Sequence, residues 1–401
     1  MDIKTAFLQG QNIERDIFIR PPKEAKCSGI VWHLQKCVYG LNDASLHWYR
    51  KVKCVMAETG GKVSKLDPSV FYWSDKTGNL TGVLTCHVDD FIWGGASDFE
   101  KTVINHIREA LKVGKENSVA FQYCGMNLVF DNDLICLDQN RYAENLSFIN
   151  IDRDQAVHKD RLLSEDEKST LRAKIGQILW LAHQSRPDII FDACNLAASV
   201  RTATVKDILY ANKIIRRIKS DNITLKFRDL GCGEKSLVVF TDASLGNLPN
   251  GGSQGGYIVL LMSDNGTFSP ICWNSKKIRR VARSTIAAET LAMADGIDMT
   301  MFLSSLYSEL MTGTLDSKLL TISCITDCKS LFEAVRSTKQ VIEKRLRMEL
   351  SSIKELIESG HINKVLWVDS EKQLANCLTK QGASSLTLIQ SFEKGVLSVK
   401  L

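Results

Sequence analysis

The chain has 401 residues, 44% of them apolar and 24% charged, with a formal net charge of +5. That length supports two or three domains with separate cores, in a composition ordinary for soluble globular protein. No stretch is apolar enough for a membrane span and no signal-peptide pattern opens the chain. An intracellular protein without a membrane partner is therefore expected, with a net charge that permits a nucleic-acid partner without requiring one.

Asp2-Ile3-Lys4-Thr5-Ala6-Phe7-Leu8 reads as a strand, and Asp16 to Arg20 as a second short one stopped by Pro21-Pro22. Tyr39-Gly40 opens a turn ahead of an amphipathic helix from Asp43 to Glu58. From Lys65 to Trp93 the pattern is strand, turn at Asp75 to Asn79, strand, then a tight hairpin with Asp89 and Asp90 at its turn. A solvated Asp-Asp turn is the plain reading of that pair. The flanks, Leu84 to Val88 and Phe91 to Trp93, are too apolar for an exposed hairpin. Two carboxylates held close repel each other, and a divalent cation relieves the repulsion. With Asp2 as a third carboxylate, this is the equipment of metal-assisted phosphoryl transfer.

The Val88-Asp89-Asp90 hairpin, the opening Asp2 to Gly10 and the run Cys37-Val38-Tyr39-Gly40-Leu41-Asn42-Asp43-Ala44-Ser45 resemble the reverse transcriptase of copia-type retrotransposon Pol polyproteins. The resemblance is ordered along nearly the whole chain. It implies an α+β fold: a reverse-transcriptase palm with a helical connection, followed by a ribonuclease H-like α/β domain. It also implies Asp2, Asp89 and Asp90 as catalytic metal ligands, with Phe7 as a steric gate beneath the incoming sugar. Periodicity alone would make Phe7 a strand aromatic facing the core. Tyr39 and Gly40 would lie beneath template and nucleotide, and Tyr123 and Gly125 would grip the primer end. The chain departs from the family at Ser45-Leu46 (usually Pro-Arg), at His87 (usually Tyr) and at Cys124 (usually Leu). Family members also carry a fingers segment ahead of the first catalytic Asp. Its absence before Asp2 predicts a frayed, poorly fixed carboxylate and weak polymerization.

A helix is expected from Ser97 to Val113, then the strand-turn Phe121 to Met126. Farther on, Leu171, Ile175, Ile178, Leu179 and Ala182 form a helical packing face. Lys206, Lys213, Arg216, Arg217 and Lys219 surround a helix near 205 to 219, as a solvated face or a phosphate contact.

Near Lys235 a second pattern begins. A strand from Leu237 delivers Asp242. Strands at Tyr257 to Met262 and Ile271 to Asn274 flank an Asn265-Gly266 hairpin. Ser284 can cap a helix carrying Glu289, and a strand ending at Thr326 precedes Asp327. Two helices, a strand at Val365 to Val368 and a final helix from Gln373 to Lys380 complete it. This order resembles ribonuclease H, which implies Asp242, Glu289 and Asp327 as catalytic metal ligands. Asn376 stands where the family has a fourth ligand, an Asp. The basic run Lys276, Lys277, Arg279, Arg280 and Arg283 is either a surface run or a contact to the hybrid backbone.

The expected divisions are a palm over 1–135, a thumb or connection over 136–234, a ribonuclease H-like domain over 235–385 and a tail over 386–401. The resemblance implies Mg²⁺ or Mn²⁺ as cofactor. The implied partners are RNA template, DNA primer, RNA–DNA hybrid and deoxynucleoside triphosphates. The implied location is the cytoplasm, within virus-like particles, or the nucleus. Two further readings remain open: a nucleic-acid-binding remnant without catalysis, and a protein-interaction scaffold. Twelve cysteines occur without paired spacings, and Cys324 and Cys328 have no partner pair, which argues for reduced thiols and against a zinc site.

Overall fold

The computed structural model describes residues 1–26, 29–132, 134–248, 251–339 and 341–397. It divides into two compact units, Met1–Ser118 with Leu306–Leu315, and Val119–Ser305 with Asp316–Leu401. The eleven described cysteines are free thiols; Cys27 lies outside the described residues.

The first unit begins with a two-stranded ribbon, β1 (Phe18–Ile19) and β2 (Trp32–His33), and helix α1 (Ala44–Glu58). Trp48, Val52, Val55 and Met56 recur at helical spacing on α1 and are buried. They cover an antiparallel sheet of β3 (Lys62–Val63), β4 (Val70–Ser74), β5 (Leu80–His87) and β6 (Asp90–Gly95), ordered as in the chain. The helix expected over Ser97 to Val113 is interrupted: a π-helical turn at Glu100–Ile104 leads into α2 (Asn105–Ala110). The extra residue per turn accompanies an inward face of Phe99, Val103, Ile104 and Ile107, all buried. Phe99 enters a slot made by Gly82 and Gly95, where an added Cβ would lie 2.2 Å and 2.5 Å from its ring.

The second unit opens with β7 (Ala120–Tyr123), β8 (Met126–Asp131) and β9 (Leu134–Asp138), which with β10 (Leu225–Arg228) form an antiparallel sheet ordered β10-β9-β8-β7. Between β9 and β10 lie α3 (Asn140–Glu144), α4 (Arg153–Val157), α5 (Glu165–Gln184), α6 (Ile190–Ser199) and α7 (Val205–Ser220). Capping boxes at Ser164/Glu167 and Thr204/Asp207 satisfy amides that open α5 and α7. On α5 the expected face is buried except for Leu179, which is partly exposed while Leu181 is buried.

The rest of this unit is a five-stranded sheet with helices on it. Strands β11 (Lys235–Ser244), β12 (Ser253–Ser263) and β13 (Phe268–Ile278) form an antiparallel meander. After α8 (Thr285–Thr312), β14 (Thr321–Thr326) pairs parallel with β11. Helices α9 (Lys329–Arg336) and α10 (Lys344–Glu358) precede β15 (Lys364–Trp367), which pairs parallel with β14, giving the order β13-β12-β11-β14-β15. Helices α5 to α7 share one core with this sheet; the indole of Trp273 donates to the Ala182 carbonyl at 2.8 Å. The stretch 386–401 begins with helix α11 (Leu386–Lys394), whose Leu388 and Phe392 enter the same core.

The helix expected from Gln373 to Lys380 is replaced by a short 3₁₀ turn at Asn376–Leu378. Side chains of the sheet tie down the carbonyls of this segment. Ser275 Oγ donates to the Leu378 carbonyl at 2.6 Å and Ser244 Oγ to that of Thr379 at 2.7 Å. The Gln373 amide donates to the Thr241 carbonyl at 3.0 Å. Ala375, Cys377 and Leu378 are buried, so this segment is packed on faces that a surface helix would leave wet.

Candidate metal and nucleic-acid sites

In the first unit the extended stretch expected from Asp2 to Leu8 is brief. Asp2 pairs with Asp90 and Ile3 with Val113, after which Thr5 adopts a left-handed conformation and Ala6–Gln9 forms a 3₁₀ turn. Asp2 is nonetheless held from both sides, contrary to the expectation of a frayed residue. Its N–H donates to the Lys115 carbonyl at 2.9 Å, and its carbonyl accepts from Gly114 at 2.7 Å. Ile3 donates to the Asp89 carbonyl at 2.8 Å, and Phe91 to that of Met1 at 2.8 Å.

The hairpin turn falls one residue earlier than expected, on Val88 and Asp89, because Asp90 is already in β6 opposite His87. Val88 has φ +57°, and the indole of Trp48 holds its carbonyl at 2.6 Å. Burial raises the pKa of Asp90, and the charges of Asp89 and Asp2 raise it further. Asp90 thus feels both neighbouring carboxylates, but the three are not among the described groups whose ligand atoms all lie within 4.8 Å. Phe7 and Tyr39 come together, ring centroids 4.7 Å apart, beside Gly40 at φ +100°. Tyr123 and Gly125 belong to the second unit, at the tight turn between β7 and β8. Cys124 and Gly125 there have φ +48° and +74°.

The second carboxylate group is tighter. β11 presents Asp242, α8 presents Glu289, and the residue after β14 is Asp327; one carboxylate oxygen of each lies within 4.8 Å of the others. Ala287 N–H donates to Ser284 Oγ at 3.3 Å, the expected cap on the helix that carries Glu289. Asp242 is 1% and Glu289 4% exposed. Burial pushes both carboxyls well above the ordinary carboxylate range; Asp327 adds to the shift of Asp242, and Asp242 and Asp327 to that of Glu289. Glu289 Oε2 is buried with no hydrogen-bond partner. An acceptor buried without a donor is costly, and a divalent cation among three oxygens would satisfy it. The donor set therefore fits a hard ion such as Mg²⁺.

Three side chains that sequence reasoning did not single out shape this site. Thr379 Oγ1 donates to Asp242 Oδ2, and Ser370 Oγ donates to Asp327 Oδ2 at 2.6 Å. Lys380 Nζ lies 3.7 Å from Asp242 Oδ2 and donates to Asn376 Oδ1 at 2.8 Å. Asn376 is thus engaged by a cation, and no pattern in the sequence signals that pairing. In the basic run, Lys276 pairs with Asp295 at 3.0 Å and Arg280 with Glu349. Lys277, Arg279 and Arg283 are exposed and have no acidic partner within 4.0 Å among the described residues.

A palm-like sheet with paired Asp at its hairpin, and a β13-β12-β11-β14-β15 sheet bearing three carboxylates, are the architecture expected of a reverse-transcriptase palm and a ribonuclease H-like fold. Residues 1–151 match the family model "Reverse transcriptase (RNA-dependent DNA polymerase)". Over 95% of its length the chain is 23% identical to the Transposon Ty1-JR2 Gag-Pol polyprotein of Saccharomyces cerevisiae, covering 22% of it. Over 98% it is 25% identical to the Retrovirus-related Pol polyprotein from transposon RE1 of Arabidopsis thaliana, covering 27%. A structure of the foamy viral protease-reverse transcriptase in complex with RNA/DNA hybrid matches 94% of this chain and 44% of that one, with TM-score 0.50 and 12% identity. The chain is a relative of copia-type retrotransposon Pol polyproteins. It spans about a quarter of the length of these curated relatives.

Proposed function

We propose that the chain is an RNA-directed DNA polymerase with a ribonuclease H-type nuclease. The observation that carries this reading is the convergence of Asp242, Glu289 and Asp327 within 4.8 Å around a buried, partnerless Glu289 oxygen. Mg²⁺ or Mn²⁺ held there would polarise a phosphodiester and lower the pKa of a water. Thr379 and Ser370 orient Asp242 and Asp327, and Lys380 brings positive charge to one side of the group. Lys277, Arg279 and Arg283, with Lys276 and Arg280 beside them, would hold the backbone of an RNA–DNA hybrid. In the first unit Asp2, Asp89 and Asp90 would hold the metals for primer extension on an RNA template. Phe7 would lie under the sugar of a deoxynucleoside triphosphate, beside Tyr39 and Gly40, and Tyr123 and Gly125 would contact the primer. The cytoplasm, within virus-like particles, or the nucleus would be the setting.

Hybrid cleavage and primer extension test the two halves separately. RNA-strand cleavage should vanish in Asp242→Asn and Glu289→Gln, and extension in Asp89→Asn and Asp90→Asn. Cleavage that survives both nuclease substitutions would end the proposal for the second unit. One feature favours a second reading, a hybrid-binding remnant without catalysis: Lys380, tied to Asn376, already places a cation beside Asp242. Salt-sensitive hybrid binding with no cleavage at any Mg²⁺ or Mn²⁺ concentration would select it.

A further inference from the structure

The first unit holds another cluster of metal-ligating atoms, away from its aspartates in the sequence. Cys37 precedes the Tyr39-Gly40 turn; Asp43 is the N-cap of α1 and His47 lies one helical turn on. One ligand atom from each falls within 4.8 Å of the others. Cys37 Sγ is 3.9 Å from Asp43 Oδ1, and His47 Nε2 is 3.8 Å from Asp43 Oδ2. In a tetrahedral zinc shell, bonds of about 2.0–2.3 Å put ligand atoms on the order of 3.3–3.7 Å apart. A contraction of a few tenths of an ångström would bring the His47–Asp43 pair to that spacing, and Cys37, whose 3.9 Å is to the other carboxylate oxygen, starts from within 4.8 Å of a ligand atom of each.

The imidazole supplies an independent observation. His47 is mostly buried, yet its Nδ1 has no hydrogen-bond partner and its Nε2 is beyond hydrogen-bond distance of Asp43. A buried ring nitrogen left without a partner is expensive, whereas one bound to a metal is not. Arg15 holds Asp43 Oδ1 at 2.8 Å, the kind of outer contact that orients a ligating carboxylate and leaves its other oxygen available. The set of one sulfur, one imidazole nitrogen and one carboxylate oxygen suits Zn²⁺ better than Mg²⁺.

We propose that Cys37, Asp43 and His47 form a zinc site, with a fourth position left for water. Binding displaces the Cys37 thiol proton to solvent and leaves the thiolate on the ion. The absence of paired cysteines in the sequence argues against zinc only for sites built from cysteines. Here the turn before α1 brings a lone thiol to an i, i+4 Asp/His pair. The ion would tie the stretch ending in Tyr39-Gly40 to the first turn of α1.

The test uses the full chain, Zn²⁺ alone and its spectroscopic substitute Co²⁺. One equivalent should bind through a thiolate, with Co²⁺ giving the charge-transfer absorption of that ligand, apart from any ion held by the carboxylates of the other sites. Cys37→Ser should abolish that absorption, and both Cys37→Ser and His47→Gln should reduce high-affinity Zn²⁺ binding to background. His47→Gln guards against misfolding at buried Cys37, since a helix accepts Gln and its amide is polar like the imidazole. Asp242→Asn, in the other unit, should leave the absorption unchanged. Retention of the thiolate absorption and zinc equivalent in a folded Cys37→Ser chain would overturn the site. So would the lack of any such absorption in the unsubstituted chain, which would leave a metal-free Arg15–Asp43–Cys37 hydrogen-bonded cluster.

Discussion

At the proposed nuclease site, Asn376 and Lys380 would set how much negative charge an incoming ion meets. An Asn keeps one acceptor oxygen but replaces an anionic oxygen with a donor, and here its oxygen is occupied by the Lys380 ammonium. Asn376→Asp is expected to raise RNA-strand cleavage by roughly ten- to a hundredfold at low Mg²⁺, the range set by altering a metal's immediate surroundings. Part of the new charge will be neutralised by Lys380, so Asn376→Asp combined with Lys380→Ala should need still less Mg²⁺. Titrating Mg²⁺ in a hybrid-cleavage assay measures both, and identical Mg²⁺ requirements for single and double variants would remove Lys380 from the competition. Asp242 and Glu289 make a second residue-level prediction. In the folded, metal-free chain their carboxyls keep protons that the unfolded chain releases near pH 4. The folded state therefore binds more protons across that window, and stability must fall as pH rises from the ordinary carboxylate range through neutrality. Calorimetry in chelator should show a falling melting temperature over this range, and saturating Mg²⁺ should flatten the slope. A metal-free chain whose stability is level across the window would mean that the two carboxyls are not perturbed together.

At the scale of elements, the hairpin of β5 and β6 combines strain with a tailored slot. A β-branched residue in the left-handed region is unfavourable by about 1–2 kcal/mol, and Val88 adopts it at the turn. Val88→Gly should therefore stabilise the first unit by about 0.5–1 kcal/mol, after allowing for the greater freedom of Gly in the unfolded chain. Chemical denaturation read through tryptophan fluorescence would measure it, and a destabilised variant would show that Val88 is not strained. Farther along the same strands the direction reverses. Phe99 occupies the space that a Cβ on Gly82 or Gly95 would need, and its ring is fully enclosed. Gly82→Ala should destabilise the unit by about 1–3 kcal/mol, the usual result of overpacking a filled core. Gly94, on β6 with open space around it and no positive φ, supplies the control in Gly94→Ala. Equal effects at the two positions would discount the slot.

For the molecule as a whole, the mild net charge is less informative than which cations lack partners. Lys276 and Arg280 are paired with carboxylates, whereas Lys277, Arg279 and Arg283 have no acid within 4.0 Å among the described residues. Each phosphate neutralised contributes about 0.7–0.9 to the slope of log affinity against log salt. Replacing Lys277, Arg279 and Arg283 with Ala should reduce the slope for an RNA–DNA hybrid by up to about 2.1–2.7, and replacing Lys276 and Arg280 by less. Filter-binding titrations at several salt concentrations would show it. Equal reductions from both sets would mean that the internal ion pairs open on binding.

Local sequence carried the order of elements, and the resemblance built on that order carried the catalytic candidates. Apolar spacing in α1, the Asn265-Gly266 turn and the Ser284 cap are short-range signals, and each produced the structure expected of it. The carboxylates Asp242, Glu289 and Asp327 were picked out by the resemblance to ribonuclease H, since each alone reads as a surface acid and only the ordered pattern of strands and helix singles it out. Tertiary packing decided what depends on partners distant in the chain. Gln373 to Lys380 has helical composition, but bonds from Ser244 and Ser275 and burial against the sheet hold it in turns. The firm seat of Asp2 comes from the carbonyl of Lys115 and the hairpin beside it, which no local pattern near Asp2 announces. The same holds for Lys380 at Asn376 and for Cys37 beside Asp43 and His47. Their chemistry depends on the distance between side chains, and only the folded backbone sets that distance.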